Sequence, residues 1–158
     1  MASKTFAIVL DVHGNLEALK TALSVISARK DVDEVIYLGD YFSLGPAPKE
    51  VLDILAPMND NVFVRGNHER YIIEKLWEQE NPTLEGMSPD DPVVKEIVEH
   101  QKWTAEQIGD AGIDFIKNSF SFKNKSFQVF RNKIISSLNK NNFIKDLFFN
   151  IANKGIKF

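Results

Sequence analysis

Residues 6–15 read FAIVLDVHGN, a short apolar run that ends in a cluster of polar residues. Continuous apolar residues, several of them β-branched or aromatic, are typical of a parallel strand that is covered on both faces. Two further runs of this kind follow at 35–38 and 62–64. We therefore predict three buried strands, the first over residues 6–10.

The segments between these strands have helical spacing. The first carries apolar residues on one face of a helix, at positions 16, 19, 23 and 26, and Asn15 is a suitable N-cap before them. Pro48 is a good first residue for a second helix, which continues through apolar residues to Leu55. The order βαβαβ predicts an α/β fold with a mostly parallel sheet.

Two more helices are predicted after the third strand. The first runs from about residue 69 to 79, and a polar loop follows over 81–89. Asp91 and Pro92 then form an N-cap and first turn for a helix that ends near Ile108. Residues 1–117 contain no internal repeat and no linker, so they form one predicted domain.

Each predicted strand ends in residues that can bind metal. Asp11 and His13 follow the first strand, Asp40 follows the second, and Asn67 and His68 follow the third. Each alone is commonly a cap or turn residue. However, the carboxyl ends of parallel strands meet at one edge of a sheet, where ligands bind. The chain has no cysteine, so the ligands are oxygen and nitrogen atoms, which suit Mn, Fe, Zn or Co.

The motifs at 11–15 (DVHGN), 39–40 (GD) and 66–69 (GNHE) resemble those of the calcineurin-like metallophosphoesterases, in order and spacing. The resemblance covers about residues 5–117 and is to the small bacterial and archaeal phosphodiesterases of that superfamily. It implies an α/β/β/α sandwich. Of this sandwich, the sequence carries the N-terminal βαβαβ half and its helices, followed by an atypical tail.

The resemblance also implies a metal centre. Asp11 and His13 would ligate a first metal ion, Asp40 would bridge, and Asn67 would ligate a second ion. Two divalent ions are expected for the family, with Mn first and Fe, Zn, Ni, Co or Mg as alternatives. Such a pair can activate a shared hydroxide for attack on phosphorus.

Further roles follow from the same resemblance. His68 would face the substrate and bind phosphate or protonate the leaving group, and Glu69 would orient it. Arg65 and Arg70 are weaker candidates for phosphate binding, because exposed arginines on helices and turns are common. Leu44 stands where the protein serine/threonine phosphatases of this superfamily carry an arginine, and an apolar side chain cannot bind phosphate.

Part of the family pattern is missing. The family has a second sheet with another metal-binding histidine, and then a Gly-His-x-His motif that serves both metals. The histidines of this chain are His13, His68 and His100, and His100 is expected on the surface of the last predicted helix. Three expected ligands are therefore absent, and the second metal site is expected to be incomplete.

Residues 118–158 differ sharply in composition from residues 1–117. The first 117 residues carry 21 Asp and Glu against 11 Lys and Arg, whereas the last 41 carry eight basic residues and only Asp146. Lys, Asn, Phe and Ile dominate this tail, as a frameshifted or truncated reading frame in an A/T-rich genome would produce. The alternatives are a basic, aromatic tail that binds nucleic acid and a diverged structural ending. A strand near 127–135 and a helix near 142–151 would suit the last of these.

The leading functional hypothesis is a metal-dependent phosphoesterase, specifically a phosphodiesterase acting on a small phosphate ester, impaired by its shortened pattern. One alternative is a non-catalytic fragment. Another is binding of nucleic acid through the tail, although nucleic acid is not the expected partner. No apolar run is long enough to span a membrane or to form a signal peptide, so we expect a cytoplasmic protein. An uncovered sheet face would favour self-association.

Overall fold

A three-stranded parallel sheet organises the described part of the chain. The structure is a computed structural model that describes residues 4–58, 61–84, 87–88 and 90–119. Its strands are β1 (Phe6–Val9), β2 (Glu34–Tyr37) and β3 (Val62–Phe63), in the order β1-β2-β3. The helices are α1 (Leu16–Ala28), α2 (Pro48–Leu55), α3 (Asn67–Ile73) and α4 (Pro92–Ser119). The predicted α/β class and βαβαβ order are confirmed.

One face of the sheet supplies the core. Val9 pairs with Tyr37, and Tyr37 pairs with Phe63, so these three side chains lie side by side and are buried. The Phe63 ring stacks on Tyr37 with 4.6 Å between centroids and meets the edge of Phe115 of α4 at 5.2 Å. These aromatic contacts therefore fix the position of α4 relative to the carboxyl ends of the strands.

β1 and β3 are shorter than the apolar runs that predicted them, and β2 begins and ends one residue earlier than its run. β1 ends at Val9 rather than Leu10, and β3 ends at Phe63. The chain leaves the sheet immediately afterwards because Asp11 and Gly39 both adopt positive φ angles, 52° and 101°. The strand ends therefore turn into loops one residue earlier than hydrophobicity alone indicates.

The first two helices agree with the prediction. Asn15 caps α1, its side chain accepting a hydrogen bond from the Ala18 N–H at 3.1 Å, and Leu19 is buried beneath the helix. Pro48 is the first residue of α2, which buries Leu55 at its other end. Each helix connects two parallel strands and leaves the loop before it at the carboxyl edge of the sheet.

The third helix is shorter than predicted. A helix over 69–79 was expected, but α3 ends at Ile73 and a separate 3-10 turn follows at Leu76–Glu78. Lys75 stops the helix because its φ angle is 49°, in the left-handed region. This turn lets Leu76 pack with Tyr71 in a second, smaller apolar cluster.

The last helix is longer than predicted. It was expected to end near Ile108, but α4 resumes beyond Gly109, whose angles of φ 57° and ψ −166° interrupt the helix. Only glycine adopts such angles readily. The continued segment buries Phe115 and Ile116 in the main core.

Almost all of the tail lies outside the described residues. Every described residue belongs to the unit Met1–Ser121, and the elements predicted near 127–135 and 142–151 are not among the described ranges. The division at residue 117 therefore stays a prediction. Among the described residues, no helix combines the length and the apolar character that crossing a membrane requires.

We expect Gly39→Ala to destabilise the domain far more than Gly109→Ala. Both glycines have positive φ angles, and forcing alanine into such a conformation costs about 1–3 kcal/mol. A Cβ at Gly39 would also overlap the backbone of Gly66, whereas a Cβ at Gly109 would meet no atom within 4 Å. Denaturant unfolding of both variants measures the difference, and equal losses of stability would show that the Gly39 contact is unimportant.

Candidate metal centre

Three of the predicted metal ligands converge at the carboxyl edge of the sheet. Asp11 and His13 follow β1, Asp40 follows β2, and each offers a ligand atom within 4.8 Å of the others. The His13 Nε2 atom lies 3.8 Å from Asp11 Oδ1. Among the residues that the structure describes, Asp11, His13 and Asp40 are the acidic and histidine side chains that lie close enough together to hold a metal ion.

The backbone at this group is held in an unfavourable conformation. Asp11, His13 and Asp40 have φ angles of 52°, 47° and 56°. These lie in the left-handed region of backbone conformation, which residues other than glycine seldom adopt. The two loops are joined by hydrogen bonds from the His13 N–H to the Asp40 carbonyl, at 2.9 Å, and from the Gly14 N–H to the Tyr41 carbonyl, at 2.8 Å. Such strain persists only where surrounding contacts enforce it, and it concentrates at functional sites.

The hydrogen bonding of His13 suits a metal ligand. Its Nδ1 atom lies 3.0 Å from the Ser43 carbonyl oxygen. A carbonyl oxygen only accepts, so Nδ1 carries a proton, and in the neutral imidazole Nε2 keeps its lone pair. A metal-binding histidine typically donates its other ring N–H to a carbonyl or carboxylate in this way. The donor set therefore fits a divalent ion.

Asp40 also joins the second and third strand ends. Its Oδ1 atom accepts a hydrogen bond from the His68 N–H at 3.0 Å. Asn67, the fourth predicted ligand, is the first residue of α3 and is half-buried beside this contact. Its role as a ligand to a second ion stays a prediction.

Glu69 is fully buried and binds backbone rather than a side chain. Its carboxylate accepts hydrogen bonds from the N–H groups of Asp40 at 2.7 Å, Tyr41 at 2.7 Å and Gly66 at 3.0 Å. Burial, reinforced by the charge of Asp40, raises the pKa of Glu69 to about 7, while the three N–H donors oppose that rise. Glu69 thus holds the loops after β2 and β3 together.

The expected contact by which Glu69 would orient His68 is not formed. Both carboxylate oxygens of Glu69 are engaged by backbone N–H groups, and the Nδ1 atom of His68 is hydrogen-bonded to Gln101 Nε2 instead. The His68 ring lies edge-on to His13, with 5.1 Å between centroids. That expectation was wrong because the oxygens of Glu69 face backbone N–H groups of the loops after β2 and β3.

His68 is uncharged near neutral pH in this structure. The residue is only 9% exposed. Burial, followed by the neighbouring His13, lowers the pKa of His68 to about 4, although the Asp11 carboxylate acts in the opposite direction. A neutral imidazole has one N–H and one lone pair, so the identity of the protonated nitrogen decides what His68 can do.

Gln101 and Ser43 are site residues that the sequence analysis missed. Both side chains are fully buried, and the Ser43 hydroxyl donates to Gln101 Oε1 at 2.7 Å. A signal for Gln101 does exist, since it falls within an apolar helical stripe at positions 94, 97, 98, 101, 104, 105 and 108. A polar residue in such a stripe needs a buried hydrogen-bond partner.

His100 was expected on the helix surface, but it contacts the loop after β2. Its Nδ1 atom accepts a hydrogen bond from the Leu44 N–H at 3.2 Å and lies 3.2 Å from the Thr104 hydroxyl. The side chain is half-buried as a result. Leu44 itself has a φ angle of 74°, so His100 helps to hold another left-handed residue beside the metal centre.

The two arginine candidates differ in their surroundings. Arg65 is exposed between β3 and α3. Arg70 is half-buried, and its guanidinium lies 5.2 Å from the centre of the Tyr71 ring. Their predicted part in phosphate binding remains a prediction.

Two curated proteins resemble this chain over part of its length. An uncharacterized protein of Methanocaldococcus jannaschii is 32% identical over 75 residues, which cover 48% of this chain and 30% of that protein. Serine/threonine-protein phosphatase 2 of Escherichia coli is 36% identical over 69 residues, covering 42% of this chain and 30% of that protein. The matched residues therefore span less than a third of either relative.

Solved structures resemble the chain over a larger share. The crystal structure of a hypothetical protein from Pyrococcus horikoshii aligns with a TM-score of 0.56 and 24% identity, over 73% of this chain and 48% of that one. A metallophosphoesterase from Sphaerobacter thermophilus aligns with a TM-score of 0.49 and 26% identity, over 74% and 42%. The chain aligns with less than half of either structure.

A family model gives the broadest match. The model for calcineurin-like phosphoesterases matches residues 4–155, a range that includes most of the segment 118–158. The ordered motifs at the three strand ends and the convergence of Asp11, His13 and Asp40 agree with that match. The chain belongs to the calcineurin-like phosphoesterase family and has its α/β fold.

Proposed function

We propose that this chain hydrolyses phosphate esters, and phosphodiesters in particular, with the help of divalent metal ions. The observation that carries the proposal is the convergence of Asp11, His13 and Asp40 at the edge of the sheet, in a chain of this family. A small phosphate ester is the proposed substrate. The comparisons support phosphoesterase chemistry in general, and the preference for diesters is our inference.

The donor set favours Mn as the first ion. Two carboxylates and an imidazole offer oxygen and nitrogen ligands without sulfur, and Mn accepts both readily. Asn67 would contribute to a second ion, whose site we propose is incomplete in this chain. A bound divalent ion supplies a Lewis acid for phosphate oxygens and lowers the pKa of water.

His68 acts on the substrate in this proposal. Its ring lies beside His13 at the metal centre, and its Nδ1 atom is occupied by Gln101, so Nε2 is the nitrogen left for the substrate. A neighbouring phosphate anion favours the imidazolium and raises the pKa of His68 from about 4. The imidazolium can bind phosphate and protonate the leaving oxygen once the Gln101 amide has turned, so that its Oε1 atom accepts the proton then carried by Nδ1.

Leu44 supports a preference for diesters. It is 47% exposed in the loop that follows Asp40, directly after Ser43, whose carbonyl contacts His13. An apolar residue there offers no charge to phosphate but can contact an organic group. A phosphodiester carries one negative charge fewer than a monoester dianion and has a second organic group. The environment at Leu44 therefore suits the diester better.

We expect Asp40→Asn to weaken Mn binding at least tenfold, because the change removes one carboxylate charge while keeping the size of the side chain. The matched control is Asp53→Asn, an exposed aspartate of α2 that pairs with Lys49 away from the strand ends. Titration calorimetry with Mn on the wild type and both variants measures the effect. Equal heats for the wild type and Asp40→Asn would overturn the site.

We expect the Mn-loaded chain to hydrolyse bis(para-nitrophenyl) phosphate faster than para-nitrophenyl phosphate. His68→Ala should lower the diester rate by about 10²–10⁴-fold, the usual value of a general acid, with little change in Mn content. Lys102→Ala, an exposed change on α4, is the control. Mn binding without any turnover would favour the non-catalytic alternative, and loss of Mn in His68→Ala would contradict the role of His68.

We also propose that the chain self-associates through β1. Ile8 of this strand, which lies at the edge of the described sheet, is 50% exposed, and Leu10 just after the strand is 42% exposed. Exposed apolar patches commonly mark contact surfaces. Ile8→Ser with Leu10→Ser should lower the mass measured by sedimentation, whereas Val25→Ser, at a 59% exposed position on α1, should not. A wild-type monomer would contradict this proposal.

A cytoplasmic location remains a prediction from the sequence.

A further inference from the structure

Gln101 connects the two histidines of the centre through one buried chain of hydrogen bonds. Its Nε2 atom meets His68 Nδ1, and its Oε1 atom meets the Ser43 hydroxyl at 2.7 Å. The backbone carbonyl of Ser43 in turn faces His13 Nδ1 at 3.0 Å. Gln101, Ser43 and His68 are at most 9% exposed, so water has little access to compete for these bonds.

The chemistry of an amide decides the direction of the bond to His68. The Nε2 group of glutamine only donates, so His68 Nδ1 must be the acceptor and must lack a proton. In a neutral imidazole the proton then resides on Nε2. In this orientation the other end of the amide is also bonded, since Oε1 accepts a hydrogen bond from the Ser43 hydroxyl.

His13 has the opposite arrangement. Its Nδ1 atom donates to the Ser43 carbonyl, so in the neutral imidazole its Nε2 atom carries a lone pair. The two rings lie edge to face, with centroids 5.1 Å apart. One imidazole therefore offers a lone pair suited to a metal ion, and its neighbour offers an N–H suited to an anion.

We propose that Gln101 is a positioning residue that holds His68 as the Nε2–H tautomer and thereby makes it a hydrogen-bond donor rather than a metal ligand. Without this contact, His68 could present a lone pair at Nε2 beside the carboxylates of the centre and compete with His13 for the ion. The consequence for hydrolysis rests on the proposed function. The tautomer itself does not, because it is a property of the chain's own residues.

The direct test is nitrogen NMR on the full chain without metal. Histidine labelled with ¹⁵N gives distinct two-bond ¹H–¹⁵N patterns for the two tautomers near neutral pH. The chain has three histidines, and loss of signals in His68→Gln assigns His68. We expect His68 protonated on Nε2 and His13 protonated on Nδ1. A His68 protonated on Nδ1 in the wild type would overturn the inference, since it would require the reversed amide.

Two variants change the contact in different ways. Gln101→Glu replaces the donor by a carboxylate, which only accepts, so His68 should switch to the Nδ1–H tautomer. Gln101→Met keeps a similar size but makes no hydrogen bond, so His68 should show a mixture of tautomers. Gln107→Glu and Gln107→Met, at an exposed position of the same helix, are the matched controls and should leave the His68 pattern unchanged.

If the buried charge of Gln101→Glu prevents folding, the backbone amide signals of that variant lose their dispersion. Gln101→Met introduces no charge and then tests the contact instead. An unchanged, single Nε2–H tautomer in a folded Gln101 variant would overturn the role of Gln101. With Mn and the diester, Gln101→Glu should lower kcat by about 10–100-fold with a smaller change in KM and in Mn affinity. Absence of turnover in the wild type would contradict the proposed function but leave the tautomer result intact.

Discussion

The centre depends on the buried carboxylate of Glu69. It accepts hydrogen bonds from three backbone N–H groups, two from the loop after β2 and one from the loop after β3, and no side chain in the described part of the chain competes for it. Hydrogen bonds to a charged group contribute roughly 1.5–3 kcal/mol each, which offsets only part of the cost of burying the charge, because the pKa of Glu69 still rises to about 7. Because Asp40 supplies one of these N–H groups, its position is set by Glu69 from α3, the helix that follows the neighbouring strand.

This arrangement explains the strained backbone around it. Gly39 and Gly66 pass so close to each other that a Cβ on Gly39 would overlap the Gly66 backbone. Asp11, His13 and Asp40 lie in left-handed conformations beside them, each at a cost of roughly 1–2 kcal/mol. The hydrogen bonds between the loops offset that cost and keep three ligand atoms close together before any ion binds. Such preorganisation is what a metal site requires of its scaffold.

The two histidines show how one loop can give neighbouring imidazoles different chemistry. Ser43 contributes its carbonyl to His13 and its hydroxyl, through Gln101, to His68. One residue of the loop after Asp40 thus takes part in both contacts. The pairing depends on α4, because Gln101 reaches the centre from a helix that follows all three strands in the chain.

Much of the fold was predictable because it arises from local patterns. The apolar runs before Asp11 and Asp40 identify the strands, and parallel strands must bring their carboxyl ends to one edge. That rule alone was enough to place Asp11, His13 and Asp40 together. The break at Lys75 was not predictable, since the left-handed conformation there serves the packing of Leu76 rather than any local preference.

The partners of the site residues were decided by tertiary structure. The contacts from Gln101 to His68 and from His100 to Leu44 join α4 to loops far earlier in the chain. Helical spacing marks Gln101 as buried, but it cannot show which acceptor the amide meets. Glu69 was assigned to His68 from the motif, yet its oxygens bind backbone N–H groups. Those groups become available only where two strand ends meet in space, and no pattern along the sequence encodes that geometry.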